Sequence, residues 1–452
     1  MDRREFLKNS AVLSAATVLA PGALAAEGKK TAAEAPAAEE AAAKKLIASA
    51  PMLQNYAATS MGVAFAVSDM ANGYVLLSER EDMEGARKVK CGGYRVTDMN
   101  DKVQQIRLTG LKPATRYYYR IGADSISYEG GYKMKITGNE EDPRTYSFVT
   151  AGKGAEGHFC VINDTHARFD TFDMLTAKIA ALAPSCVVWN GDTCNCEEQI
   201  EGLMRNFLAP PIQHADYASE IPYLFAPGNH DSRGMANRHI ERVWMWRQSE
   251  ERSSRDWDLG RNFAVRMGDI ALIGLDTAED KLDTNPLFAG LFNSGPYREA
   301  QVAWLADALK RKEIATAPFL VAFCHIPLFD DDPTHNPGDV APADKDPQYS
   351  ADYAYWQRTC ARLWTPLLEK AKCQLIITAH MHTYRYDAPT KDRRWAQLVG
   401  GGPRWQDTER FPTVIEGRVE VTGRGKKGRK LHITVHNIST GEIQEAFTFN
   451  AR

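Results

Sequence analysis

The spacing of hydrophobic positions changes along this chain. From about residue 51 to 150 they fall in short runs broken by turn residues: 62–67, 74–77 after the turn pair Asn72-Gly73, 104–108, 117–121 after a turn at 111–115, and 146–149. Short strands separated by turn signals predict an all-β sandwich. From about Gly157 the pattern alternates instead. Apolar runs at 159–162, 186–189, 223–226, 270–275, 319–323 and 375–378 read as strands. Between them, Leu175, Ile179 and Leu182, and later Val302, Leu305 and Leu309 after Pro296, recur at helical spacing. Continuous apolar strands suit a sheet covered on both faces, so this half is expected to be α/β and layered.

The first 50 residues carry neither pattern. Residues 26–50 are rich in Ala, Glu and Lys and offer no core-forming face, which reads as a linker. Before them, Arg3-Arg4-Glu5-Phe6-Leu7-Lys8, a weakly apolar stretch to about Ala20 and the small residues Ala23-Leu24-Ala25 read as a twin-arginine signal peptide over residues 1–25. The expected location is therefore periplasmic or secreted, after passage through the twin-arginine export machinery. The apolar stretch is too short to anchor the chain in a membrane.

Composition adds bounds. At 452 residues the chain is long enough for two domains. A net charge of -3 gives no signal for nucleic acid. The basic run Lys426, Lys427, Arg429 and Lys430 is punctuated by glycines and reads as a solvated hairpin tip. Eight cysteines in such a length are not a disulfide framework. Cys160, Cys186 and Cys324 lie in apolar runs as buried thiols; Cys194 and Cys196 follow a motif Asp and are minor candidates for a ligand.

The chemistry gathers at strand ends, where open α/β sheets place their sites. Five predicted strands end in Asn163-Asp164-Thr165-His166, Asn190-Gly191-Asp192, Gly228-Asn229-His230-Asp231, Cys324-His325 and Ala379-His380-Met381-His382. Taken alone most of these motifs are weak, although Gly-Asn-His-Asp is moderately specific. An Asp-x-His pair can be a buried hydrogen bond, and Gly-Asp is a common turn. A His-x-His pair in extended chain would put both imidazoles on one side, since side-chain direction repeats every two residues. Together they form a set of carboxylate and imidazole ligands suited to Fe, Mn or Zn. Two such ions can hold the attacking and leaving oxygens of a phosphate ester and acidify a bridging water.

On these motifs the sequence resembles the calcineurin-like metallophosphoesterases, close to the purple acid phosphatase branch. The segment Gly110-Leu-x-Pro-x-Thr-x-Tyr-Tyr-Tyr119 resembles the fibronectin type III-like module found in front of those enzymes. The resemblance implies a β-sandwich over 51–150, then a four-layer α/β/β/α metallophosphoesterase domain over 157–452. It implies Asp164, His166 and His382 on one metal, Asn229, His325 and His380 on a second, and Asp192 bridging them. His230 would be the general acid. The bridging hydroxide would attack a small phosphate-ester substrate. A monoesterase is the leading expectation; a phosphodiesterase or nucleotidase uses the same ligands, and an inactive secreted binding protein is the remote alternative. Two departures stand out. Asn195 occupies the position of the branch's tyrosine ligand, so a tyrosinate–iron chromophore is not expected, and Ala379 stands where glycine is usual. Arg168, His335 in the long polar stretch at 330–353, and Arg404 are candidate substrate contacts. Oligomeric state leaves no trace in the sequence.

Overall fold

The computed structural model describes residues 45–92, 102–246, 248, 259–330 and 347–452. The proposed signal peptide, residues 26–44 of the linker, and His335 lie outside the described residues.

Three sheets carry the fold, with strands numbered in chain order. The first contains β1 (Met52–Gln54), β2 (Met61–Ala66), β5 (Val103–Leu108), β9 (His158–Ile162), β10 (Cys186–Asn190), β11 (Tyr223–Ala226), β18 (Thr413–Val421), β19 (Arg429–Asn437) and β20 (Ile443–Asn450). Its order is β20-β19-β18-β9-β10-β11-β1-β2-β5, with β9, β10 and β11 parallel. The second contains β12 (Phe263–Met267), β13 (Ile270–Gly274), β14 (Phe319–Phe323), β15 (Leu375–Thr378), β16 (Arg385–Asp387) and β17 (Ala396–Val399). The third contains β3 (Ala71–Ser78), β4 (Arg87–Lys90), β6 (Arg116–Tyr128), β7 (Met134–Glu141) and β8 (Tyr146–Val149).

Alternation along the strands builds the layers. In β9 and β10, Phe159, Val161, Cys186 and Val188 face a central core, while Cys160, Ile162, Val187 and Trp189 face an outer one. In β13 and β14, Ile270, Leu272, Phe319, Val321 and Phe323 face the same central core from the other sheet. Phe159 meets Phe323 edge-on across it, with ring centroids 5.9 Å apart. The outer faces are covered by helices. Helices α1 (Phe169–Leu182) and α2 (Ile200–Phe207) bring Phe172, Leu175, Ile179, Leu203 and Phe207 to the first sheet. Helices α3 (Ser294–Lys310), the short α4 (Lys312–Ala315) and α5 (Pro347–Lys370) bring Leu305, Ile314, Trp364 and Leu368 to the second. The result is the four-layer α/β/β/α arrangement.

The N-terminal β region is present, and its strands are divided between two sheets. Strands β1, β2 and β5 extend the first sheet through a parallel contact of Gln54 with Tyr223. The cause lies in β2, which is buried at every position. Met61, Val63 and Phe65 face the central core together with Val75 and Ile121 of the third sheet, and Ala64 and Ala66 face the outer core beside Trp244. A strand apolar on both faces cannot leave one face to water. Asn72-Gly73 is also not a turn. Both residues lie inside β3, where a Cβ at Gly73 would meet the Gln104 side chain at 2.7 Å. Glycine is there for close approach, not for reversal. Of the basic run, Lys426 and Lys427 lie at the tip between β18 and β19, while Arg429 and Lys430 begin β19. All eight cysteines are free. Among the described residues, no helix is long and apolar enough to cross a membrane.

Candidate metal centre

The five motifs follow β9, β10, β11, β14 and β15, so they come from both sheets and meet where those sheets end side by side. The backbone turns sharply there. Asp164, His166, Asp192, His380 and His382 all have φ between 46° and 69°. This left-handed region costs a non-glycine residue on the order of 1–3 kcal/mol, and such residues cluster at functional sites. Hydrogen bonds hold the conformation. Asp164 N donates to Gly191 O at 3.0 Å and His166 N to Asp192 O at 2.9 Å. The buried Asp231 carboxylate accepts from the backbone N–H groups of Asp192, Thr193 and Gly228 at 2.8–3.0 Å. A Cβ at Gly228 would collide with Asp192 Oδ1, which explains the glycine before Asn229. The His-x-His pair therefore does not work by strand alternation: β15 ends at Thr378, and each imidazole is aimed by its own left-handed turn.

The ligand atoms fall into two groups that share one residue. Asp164, His166, Asp192 and His382 offer atoms all within 4.8 Å of one another, and so do Asp192, His325 and His380. In the first group, His166 Nε2 lies 3.0 Å from His382 Nε2 and 3.6 Å from Asp192 Oδ2. In the second, His325 Nε2 lies 3.1 Å from Asp192 Oδ2. Asn229 joins the second group, with Oδ1 3.1 Å from His380 Nδ1. The donors fit metal ions. Asp164 Oδ1 and His380 Nε2 are buried without a hydrogen-bond partner in the protein. Such orphans cost about 1–3 kcal/mol each unless something else satisfies them. The remaining atoms are tied down as ligands require: Nδ1 of His325 donates to Asn190 O at 2.9 Å, and Asn195 Oδ1 accepts from His166 Nδ1 at 2.9 Å. Tyr353 stacks on His380 with centroids 5.5 Å apart.

The charges balance internally. Burial works against the charge on Asp192, yet His325 and His230 outweigh it and hold the carboxyl far below its ordinary range. Burial likewise opposes Asp164, with His382 and His325 holding it down. Burial also works against charge on His325, but Asp192 and Asp164 push it up to about 10. His380 goes the other way: burial drives it down to about 3 against the pull of Asp280.

His230 stands beside this cluster. Its backbone N donates to Asp192 Oδ1 at 2.9 Å, and its ring meets His166 edge-on at 5.0 Å. Its Nδ1 donates to Asn195 O at 2.9 Å. Asn195, singled out as a departure, thus holds two of the imidazoles. Arg168 and Arg404, the candidate substrate contacts, are exposed. Cys194 faces Asp231 and Asn237 rather than the cluster, and Cys196 is exposed. Sequence reasoning missed Asn163, whose Nδ2 donates to Asp164 Oδ2 at 2.7 Å. It also missed Asp231, and Arg233 with Glu279 and Asp280. The Gly-Asn-His-Asp motif contains Asp231, so that signal was available; the pairing of Arg233 with residues beyond β13 was not.

Residues 157–384 match the family model described as calcineurin-like phosphoesterase. Among solved structures, the chain is similar to purple acid phosphatase PPD1 from yellow lupin (Lupinus luteus) seeds. That likeness has a TM-score of 0.58 at 14% identity and covers 90% of this chain and 75% of that one. It is also similar to PhoD, with a TM-score of 0.52 at 12% identity over 89% of this chain and 92% of that one. At such identities the likeness is one of fold. No curated protein matches the chain in sequence.

Proposed function

The chain belongs to the calcineurin-like phosphoesterase family and is a hydrolase of phosphoric esters, and from that premise we propose that it is an exported two-metal phosphomonoesterase with His230 as general acid. The observation that carries the two-metal reading is Asp192, which belongs to both ligand groups. A carboxylate common to two sites keeps two ions close enough to act on one phosphorus centre. Asp164, His166 and His382 would hold one ion with Asp192; Asn229, His325 and His380 would hold the other. Bound there, two ions supply a water of lowered pKa and positive charge for the phosphoryl oxygens. Imidazole and carboxylate donors suit Fe, Mn or Zn, and Asn195 in place of a tyrosine ligand speaks against a purple iron centre.

The protein groups do the rest. Asn229 is a neutral ligand and limits the negative charge that an anionic ester meets. His230 is anchored through Nδ1, which leaves Nε2 as the nitrogen that, once protonated, would give its proton to the leaving oxygen. The substrate would be a small monoester in the periplasm or outside the cell, reached through the twin-arginine route that the N-terminal Arg3-Arg4 pattern supports. Paired assays of the metal-replete protein on nitrophenyl phosphate and bis-nitrophenyl phosphate test the proposal. Faster turnover of the monoester is expected. Much faster diester turnover would replace the monoesterase reading with a phosphodiesterase.

A further inference from the structure

Arg233 follows His230 by three residues, and its side chain folds back toward the ligand cluster. A guanidinium carries five N–H donors in a rigid planar fork. Nε donates to Glu279 Oε2 at 2.9 Å. Nη2 donates to Glu279 Oε1 at 2.5 Å and to Asp280 Oδ1 at 2.7 Å. Nη1 donates to His230 Nε2 at 3.1 Å. That uses four donors. Among the described residues the second hydrogen on Nη1 has no acceptor.

The arrangement is more than charge neutralisation. Glu279 and Asp280 are buried, and the Nε–Nη2 edge of Arg233 is enough to pair with them. Nη1 is turned the other way, onto the one imidazole nitrogen of His230 that Asn195 does not hold. The Arg233 side chain is 13% exposed, so it keeps a narrow face open. Two buried carboxylates thus fix a cation with a spare donor beside Nε2 of the proposed acid. A fork held this way is prepared for a tetrahedral oxyanion, and its ordering cost is already met in the fold.

We propose that Arg233 is a substrate-contacting residue whose Nη1 binds an oxygen of the phosphoryl group next to His230. This rests on the phosphoesterase reading. On substrate arrival Nη1 exchanges His230 Nε2 for the phosphoryl oxygen, which clears Nε2 to face the leaving oxygen. Glu279 and Asp280 are positioning residues that keep the guanidinium in place during the exchange.

The test is calorimetric titration of inorganic phosphate into the metal-replete full chain, for wild type, Arg233→Met and Arg233→Lys, with bound metal counted in each. Loss of a charged hydrogen bond predicts phosphate binding weaker by on the order of 10- to 100-fold in Arg233→Met, with two ions retained and KM raised more than kcat is lowered. Arg233→Lys keeps the charge opposite Glu279 and Asp280 but not the fork, so about tenfold weaker binding is expected with the fold intact. Phosphate affinity within twofold of wild type in both variants overturns the inference. So does loss of metal, or of the fold, in both, which would make Arg233 structural. Phosphate binding is read without turnover. A wild type that hydrolyses no ester yet loses phosphate affinity in the variants ends the monoesterase proposal and leaves Arg233 as an anion site.

Discussion

His230 touches the cluster without belonging to either ligand group, and this separation is what a general acid needs. Replacing it with alanine is expected to leave two ions in place and slow turnover by about 10²–10⁴-fold. Metal analysis beside steady-state kinetics checks both halves; a variant that loses an ion would make His230 a ligand. At this scale the residue types were legible, because few side chains can hold two cations, and the strand-end motifs contained them. Their geometry was not. The sequence favours extended chain around His380 and His382, and only the packed loops hold five of the candidate ligands in left-handed backbone. Arg233 was hidden for another reason. It looks like any surface arginine until the chain beyond β13 brings Glu279 and Asp280 to it.

Elements fix the cluster through the seam between the two sheets. Asn190, the last residue of β10, donates from Nδ2 to Cys324 O and to Ile377 O, both at 3.2 Å, and its own carbonyl accepts from His325 Nδ1. It is fully buried and ties three strands from two sheets together. Asn190→Ala removes both side-chain bonds from a buried seam, so a loss of about 1–3 kcal/mol is expected in urea unfolding. A change below about 0.5 kcal/mol would mean the sheets hold their spacing without it. The apolar runs announced most of these strands, since period-two alternation and continuous burial leave a plain trace. The trace misled where one residue has two uses. Gly73 after Asn72 spells a turn, but here it makes room for Gln104.

Over the whole molecule, one core runs from the N-terminal strands into the phosphoesterase layers. Phe65, Val75 and Ile121 share it with Phe159, Val321 and Leu398. The sequence separated the two regions because their periodicities differ, and periodicity carries no information on which sheets join edge to edge. A shared core predicts that Phe65→Ala, which costs about 3–5 kcal/mol when a buried ring is removed, lowers a single calorimetric transition for the chain. A scan with two transitions, the later one unmoved, would mean the N-terminal region is an independent support. The proposed two-metal site turns on Asp192 joining two ions, and counting transition-metal ions in purified, metal-replete protein tests it most directly. Two ions per chain are expected in the wild type, with metal and activity lost together in Asp192→Ala. A wild type that holds fewer than two, or an Asp192→Ala variant that keeps both, would contradict it.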